Sequence, residues 1–172
     1  MGERRGKRKK REKWGRRGGK ERDSVVVGGW GDKMGVRMRE GLGLEVWDHP
    51  EERRRVVGEA LARWDEALLK EALWAYLVRH RKKPDRVAPH YVGYFVRWLA
   101  LKGRRWPHLE PEDPKAFLLE AKEKGFPGGE RGPMAWSTVE RARASLRHLF
   151  PFLDWAGHPM PSHVRLPSRQ EL

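Results

Sequence analysis

The chain has 172 residues, with 38 Lys and Arg against 24 Asp and Glu, a formal net charge of +14 and no cysteine, and its length favours one domain with a tail. Lack of cysteine excludes disulfides, thiol catalysis and cysteine-ligated zinc; no apolar run approaches the ~20 residues needed to cross a bilayer, and the charged N-terminus lacks the apolar segment of a signal peptide. These features predict a cytoplasmic protein with an anionic partner, nucleic acid before membrane.

The charge is unevenly spread. Residues 1 to 22 hold 12 basic side chains and only three acids, Glu3, Glu12 and Glu21, so the remaining 150 residues are moderately basic. Residues 1–23 are Arg, Lys, Gly and Glu with a single aromatic, Trp14, too little apolar surface to offset the entropy of ordering them. A disordered basic arm is expected, either a sequence-independent phosphate-binding segment or a solvated tail. The chain has no Asn, one Gln (Gln170), and 25 Arg against 13 Lys. Loss of thermolabile amides fits a thermophile, although a GC-rich genome also favours Arg.

Residues 24–47 run from Val25-Val26-Val27 through Gly28, Gly29 and Gly31 to a loose apolar alternation ending at Val46. Turn glycines between short apolar runs predict an irregular or short β segment. The helical part is expected over residues 48–157. Asp48-His49-Pro50-Glu51 has the form of a helix start, with Pro50 in the first turn, where its missing N–H does no harm. Apolar residues at helical spacing then continue to about His80, as one helix or as two broken near Trp64 to Ala67. Pro84 ends this stretch.

A further helix runs from Pro89 to Leu101, with Tyr91, Tyr94, Phe95, Trp98 and Leu99 inward and Gly103 as its stop. Another begins at Asp113-Pro114, with Asp as cap, and buries Phe117, Leu118 and Ala121 before Gly125. The last helix is expected over Ser137 to Trp155, opened by a Ser137–Glu140 capping box. Val139, Ala142, Leu146, Leu149, Phe150 and Leu153 form its buried stripe. Ser137, Arg141, Ala144 and His148 lie outward, flanked by Arg143 and Arg147, and Pro151 removes one hydrogen bond and kinks it. Residues 158–172 hold three prolines after His158 and are expected to be an extended, interdomain-type linker.

Order and spacing over residues 66–170 resemble the N-terminal core-binding domain of tyrosine recombinases, the phage integrase family. The likeness is carried by Tyr91, Phe95, Trp98, Leu99 and Gly103, then by Ser137-Thr138, Arg141, Leu146, Leu149-Phe150, Phe152-Leu153, Trp155 and Gly157. The Val164-Arg165-Leu166-Pro167-Ser168-Arg169 stretch completes it. Val87 departs from the pattern, which usually has Thr there. The resemblance implies a mainly α fold, a four- to five-helix orthogonal bundle of the SAM-like type. It also implies a DNA-clamping module whose partners are double-stranded DNA and other recombinase protomers or a separate catalytic domain.

The family's nucleophilic tyrosine lies beyond such a linker, and Tyr76, Tyr91 and Tyr94 all fall at inward helical positions. No catalytic residue, cofactor or metal site is therefore expected, and the module grips DNA without exchanging strands. Seven His without Cys and without an H-x-x-x-H pair give no metal spacing. By resemblance, the outward positions that would meet DNA are Arg86, His90, Ser137, Thr138, Arg141, Arg143 and Arg147. Lys82, Lys83, Lys102, Arg104 and Arg105 adjoin them in loops. A solvated surface is the plain alternative for each. Arg53, Arg54 and Arg55, among Glu51, Glu52 and Glu59, read instead as a charge-paired helix surface. Trp64, Trp74, Trp98 and Trp155 read as core, while Trp30, Trp106 and Trp136 stay open. The rival readings of the whole chain are a helical protein-interaction module and a basic RNA-binding protein.

Overall fold

The computed structural model describes residues 44–172. The basic arm and the β reading for residues 24–43 lie outside them. A short 3-10 turn, Leu44–Asp48, leads into α1 (Pro50–Arg63), α2 (Glu66–His80), α3 (Ala88–Leu101), α4 (Asp113–Lys124), α5 (Trp136–Arg147) and α6 (Leu149–Trp155). A 3-10 turn, Arg169–Glu171, follows near the end. No strand occurs among the described residues; two isolated bridges, Arg105 with His108 and Gly125 with Arg131, fasten loops. The fold is a mainly helical bundle, as the apolar periodicity predicts.

Helix α3 runs through the middle, packed on α2 and on α5. The core gathers Leu73 and Leu77 from α2, Phe95 and Leu99 from α3, Phe117 and Leu118 from α4, Leu146 from α5, and Phe152 and Leu153 from α6, all fully or nearly fully buried. Each such side chain contributes about 1.5–3 kcal/mol relative to its exposed state. Val46 and Trp47 join this core, so the bundle begins before Asp48, and the β reading fails over residues 44–47. Their neighbours explain it. Arg53 donates from Nη1 to the Trp47 carbonyl at 2.8 Å and from Nε to the Trp155 carbonyl at 3.0 Å, and its guanidinium lies 4.1 Å from the Trp155 ring centre. Arg53 is thus a packing residue, whereas Arg55 does pair with Glu52 and Glu59.

The long apolar stretch resolves into two helices. Trp64 closes α1 in the left-handed region at φ 50°, held there by its indole N–H, which donates to the Arg104 carbonyl at 2.6 Å. Asp65 then caps α2 by accepting the Leu68 amide at 3.1 Å. Other expected caps do not form. His49, not Asp48, precedes α1 and makes no side-chain bond; Asp48 instead accepts Arg79 Nε at 2.7 Å. Helix α5 starts one residue early, at Trp136, with Ala135 at its cap. Ser137 is therefore inside the first turn, and Glu140 turns to Arg143 and Arg169. A complete capping box forms at Ser168 and Glu171.

The helix expected from Ser137 to Trp155 breaks at His148 into α5 and α6. Pro151 has no N–H for the Arg147 carbonyl and its ring crowds that turn. Residues 158–172 are extended as their prolines favour, but they lie against the bundle. Val164 and Pro167 are buried, His163 Nε2 meets the Leu109 carbonyl at 2.6 Å, and Arg143 Nε donates to the Pro167 carbonyl at 2.7 Å. Lys122 Nζ donates to the Leu172 carbonyl at 2.7 Å, and Arg165 pairs with Glu112 and Glu171.

Candidate nucleic-acid interface

The cations expected to face DNA separate into two groups. Lys102, Arg104 and Arg105 follow the C-terminal end of α3, roughly 20 Å along its axis from the α2–α3 loop at 1.5 Å per residue. Two of the three are engaged. Arg104 Nε donates to Asp113 Oδ2 at 3.1 Å, and Nη2 to Oδ1 at 3.2 Å. Asp113 is only 1% exposed and also accepts the Glu110 amide at 2.8 Å. Lys102 pairs with Glu120 at 3.4 Å over the Trp98 ring, and Glu120 also accepts the Trp98 indole N–H. These two bonds, the indole first, hold the Glu120 carboxyl below its ordinary value. Arg105 is exposed.

Arg143 is a second correction. The sequence places it at the flank of the outward face, but the 165–169 segment covers that flank. Its side chain is 16% exposed and holds Glu140 as well as the Pro167 carbonyl. It is a strut between α5 and the C-terminal segment.

The other cations lie in two exposed groups. Lys82, Lys83 and Arg86 are exposed in the loop between α2 and α3. Arg141 and Arg147 are exposed on α5, and no ion pair with another described residue occupies any of the five. Arg81 at the end of α2 adds a sixth cation without an ion pair among the described residues, and the charges of Arg81, Asp85 and Arg147 all bear on the His148 ring. His148 and Arg141 are seven residues apart on the same outward line of α5, about 10 Å along its axis. Arg141 and Arg147 thus give α5 an exposed cationic line, and Lys82, Lys83 and Arg86 form a second exposed group in the α2–α3 loop. Ser137, exposed, and Thr138, half-buried, lie at the far end of α5.

Burial first, then the Arg81 charge, pushes His148 below the ordinary 6.5, with Asp85 opposing. His90, in the first turn of α3, is also lowered by desolvation and then by Lys70, against Glu66. Its ring stands 4.5 Å from the Tyr94 ring and 5.7 Å from that of Tyr91, so it packs on two tyrosines while the residue stays exposed. The sequence reading set Arg81 outside the contact residues and gave His148 an outward position without a role. The signal for both was present: Arg81 opens the Arg-Lys-Lys run, and His148 repeats Arg141 at a spacing of seven.

Of the tryptophans, Trp98 is buried, Trp64, Trp74, Trp106 and Trp155 pack partly against the core, and Trp136 is exposed; Trp30 lies outside the described residues. Among the described residues no group of three His, Asp or Glu is placed to hold a metal ion. None of their helices is long and apolar enough to cross a membrane. Comparison with protein-family models, curated proteins and solved structures gives no match to the chain.

Proposed function

We propose that this bundle is a duplex-DNA-binding module of the core-binding type that its sequence resembles, gripping the phosphate backbone through the α2–α3 loop and the outward stripe of α5. The observation that supports this reading is the set of exposed cations, Arg81, Lys82, Lys83 and Arg86 around the α2–α3 loop and Arg141 and Arg147 on α5, that hold no carboxylate among the described residues. Elsewhere Arg55, Arg97, Arg104 and Arg165 each hold a carboxylate. A cation left without a protein partner beside others of its sign gains most from a polyanion. Contacts of this kind set position and carry no sequence code. Strand exchange is not assigned to these residues; recombinase protomers or a catalytic domain would supply it.

Binding by phosphate neutralisation releases counterions, so log affinity falls with log salt by about 0.9 for each phosphate contacted. Replacing Lys82, Lys83, Arg86 and Arg147 together by Ala is expected to weaken duplex binding and to flatten that slope by up to about 3.6. Replacing Lys102 and Arg105 leaves the slope nearly unchanged. Fluorescence anisotropy with a labelled duplex over a salt series measures both. Equal affinity and slope in the fourfold variant and the parent would overturn the interface. Stronger competition by a structured RNA than by duplex DNA would replace the partner.

A further inference from the structure

We propose that the groove between the ends of α3 and α4 docks an acidic peptide segment of a partner protein. That segment sets an aliphatic or aromatic side chain on the groove floor and carboxylates against Lys124 and Arg131. The groove lies at the end of α3 opposite the α2–α3 loop, so its occupant and the duplex proposed above bind separately.

Residues of α3, α4 and the 126–131 loop line a groove of about 370 Å³, near the small end of the range for ligand sites, about 300–1,000 Å³. Its floor is aromatic. Trp98, Phe117 and Phe126 are buried there, and the Phe117 ring stands 6.1 Å from Trp98 and 5.8 Å from Phe126. Leu101 also lines the groove and is 71% exposed, more than any other large apolar side chain among the described residues. An apolar side chain seated on this floor removes Leu101 and the ring faces from water together, which favours binding in proportion to the area covered.

The charge around the floor selects the occupant. The Gly132 amide donates to the Lys124 carbonyl at 3.0 Å, and Gly125 bridges Arg131, so the loop brings the backbones of Lys124 and Arg131 together. Both side chains line the groove, exposed and without an ion pair among the described residues. Carboxylates of a bound peptide meet that need. Glu120, also in the groove, takes the Trp98 indole N–H at 2.6 Å and Lys102 Nζ at 3.4 Å, both on Oε2. Its Oε1 is left as an acceptor, which a peptide N–H satisfies and a phosphate diester, with no donor and a like charge, does not. An acidic peptide therefore suits the groove better than a nucleic-acid strand. A second copy of this chain, with a formal charge of +14, brings the wrong overall sign.

The test is a selection of short random displayed peptides on the full chain, with peptides that also bind Leu101→Ser removed; the basic N-terminal residues are the same in both proteins. Enriched peptides are expected to carry Asp or Glu beside Leu, Phe or Trp. A labelled peptide from that set should lose about tenfold in affinity on the double variant Lys124→Glu, Arg131→Glu, the scale of one removed anchor. The same change of charge at two exposed residues outside the groove, Arg63→Glu with Arg105→Glu, should cost much less. In the parent, the Trp98 indole N–H resonance should shift as the peptide is added, a readout that does not depend on how a variant folds. Duplex affinity should be the same in Leu101→Ser and the parent. A selection that enriches no acidic and apolar peptide, equal losses in the two charge variants, or an unmoved Trp98 resonance overturns the dock. A duplex that displaces the peptide and is weakened by Leu101→Ser assigns the groove to nucleic acid and overturns it as well.

Discussion

Asp113 lies buried at the start of α4, where its carboxylate holds Arg104 through two guanidinium nitrogens and the Glu110 amide through its backbone N–H. Both partners matter to stability, because a charge left buried without its counter-ion keeps its desolvation cost. Arg104→Ala is expected to destabilise the fold by about 1.5–3 kcal/mol, the range for a hydrogen bond to a charged group, and to leave the salt slope of DNA binding unchanged. Urea denaturation and anisotropy on the same sample separate the two effects. A flattened slope with unaltered stability would return Arg104 to the interface. In sequence, Lys102, Arg104 and Arg105 form a basic loop like Lys82, Lys83 and Arg86. What distinguishes Arg104 is an acid nine residues on, Asp113, brought back by the turn into α4, and no local pattern shows such a return. Arg143 has the same history: its partner is the carbonyl of Pro167, twenty-four residues away.

The helices were more legible than their ends. Apolar spacing over Ala88–Leu101 and Asp113–Lys124 needs only the local chain, so α3 and α4 appear within a residue or so of their expected starts. Caps depend on a single residue of register, which is why Ser137 and Glu140 match the motif yet form no box. Gly125 shows what does fix an end. It closes α4 at φ 88° and ψ −169°, a region reached essentially by glycine alone. A Cβ there would run into the Glu130 carbonyl and the Arg131 backbone. The turn it permits lets the Phe126 amide meet the Glu130 carbonyl at 3.2 Å and brings the Gly132 amide to the Lys124 carbonyl at 3.0 Å. Gly125→Ala should therefore cost about 2–3 kcal/mol, from strain of roughly 1–3 kcal/mol together with displaced loop backbone. A midpoint in urea within error of the parent would show that the 126–132 loop yields freely.

At the scale of the whole molecule, the titrating groups define how the fold responds to acid, and they do so in two steps. Burial holds both His148 and His90 below 6.5. As pH falls below 6.5, the unfolded chain takes up protons that the folded rings resist, so stability declines until the folded values are passed. The carboxylates act lower. Glu171, bonded first by Arg165 and then by the Ser168 amide, is held to about 2 from 4.5, and Asp48 and Glu120 are lowered by Arg79 and Trp98 respectively. Their stabilisation is present above the ordinary carboxylate range and is lost as pH falls through it toward the folded values. Glu71 opposes them, since desolvation raises its carboxyl and its protonation favours the folded state. Urea midpoints from about pH 8 down to about pH 3 are expected to fall first below the histidine value and again below the carboxylate value. The double variant His90→Gln, His148→Gln should lose the first step and keep the second. A first step that survives in that variant would mean that other groups carry it.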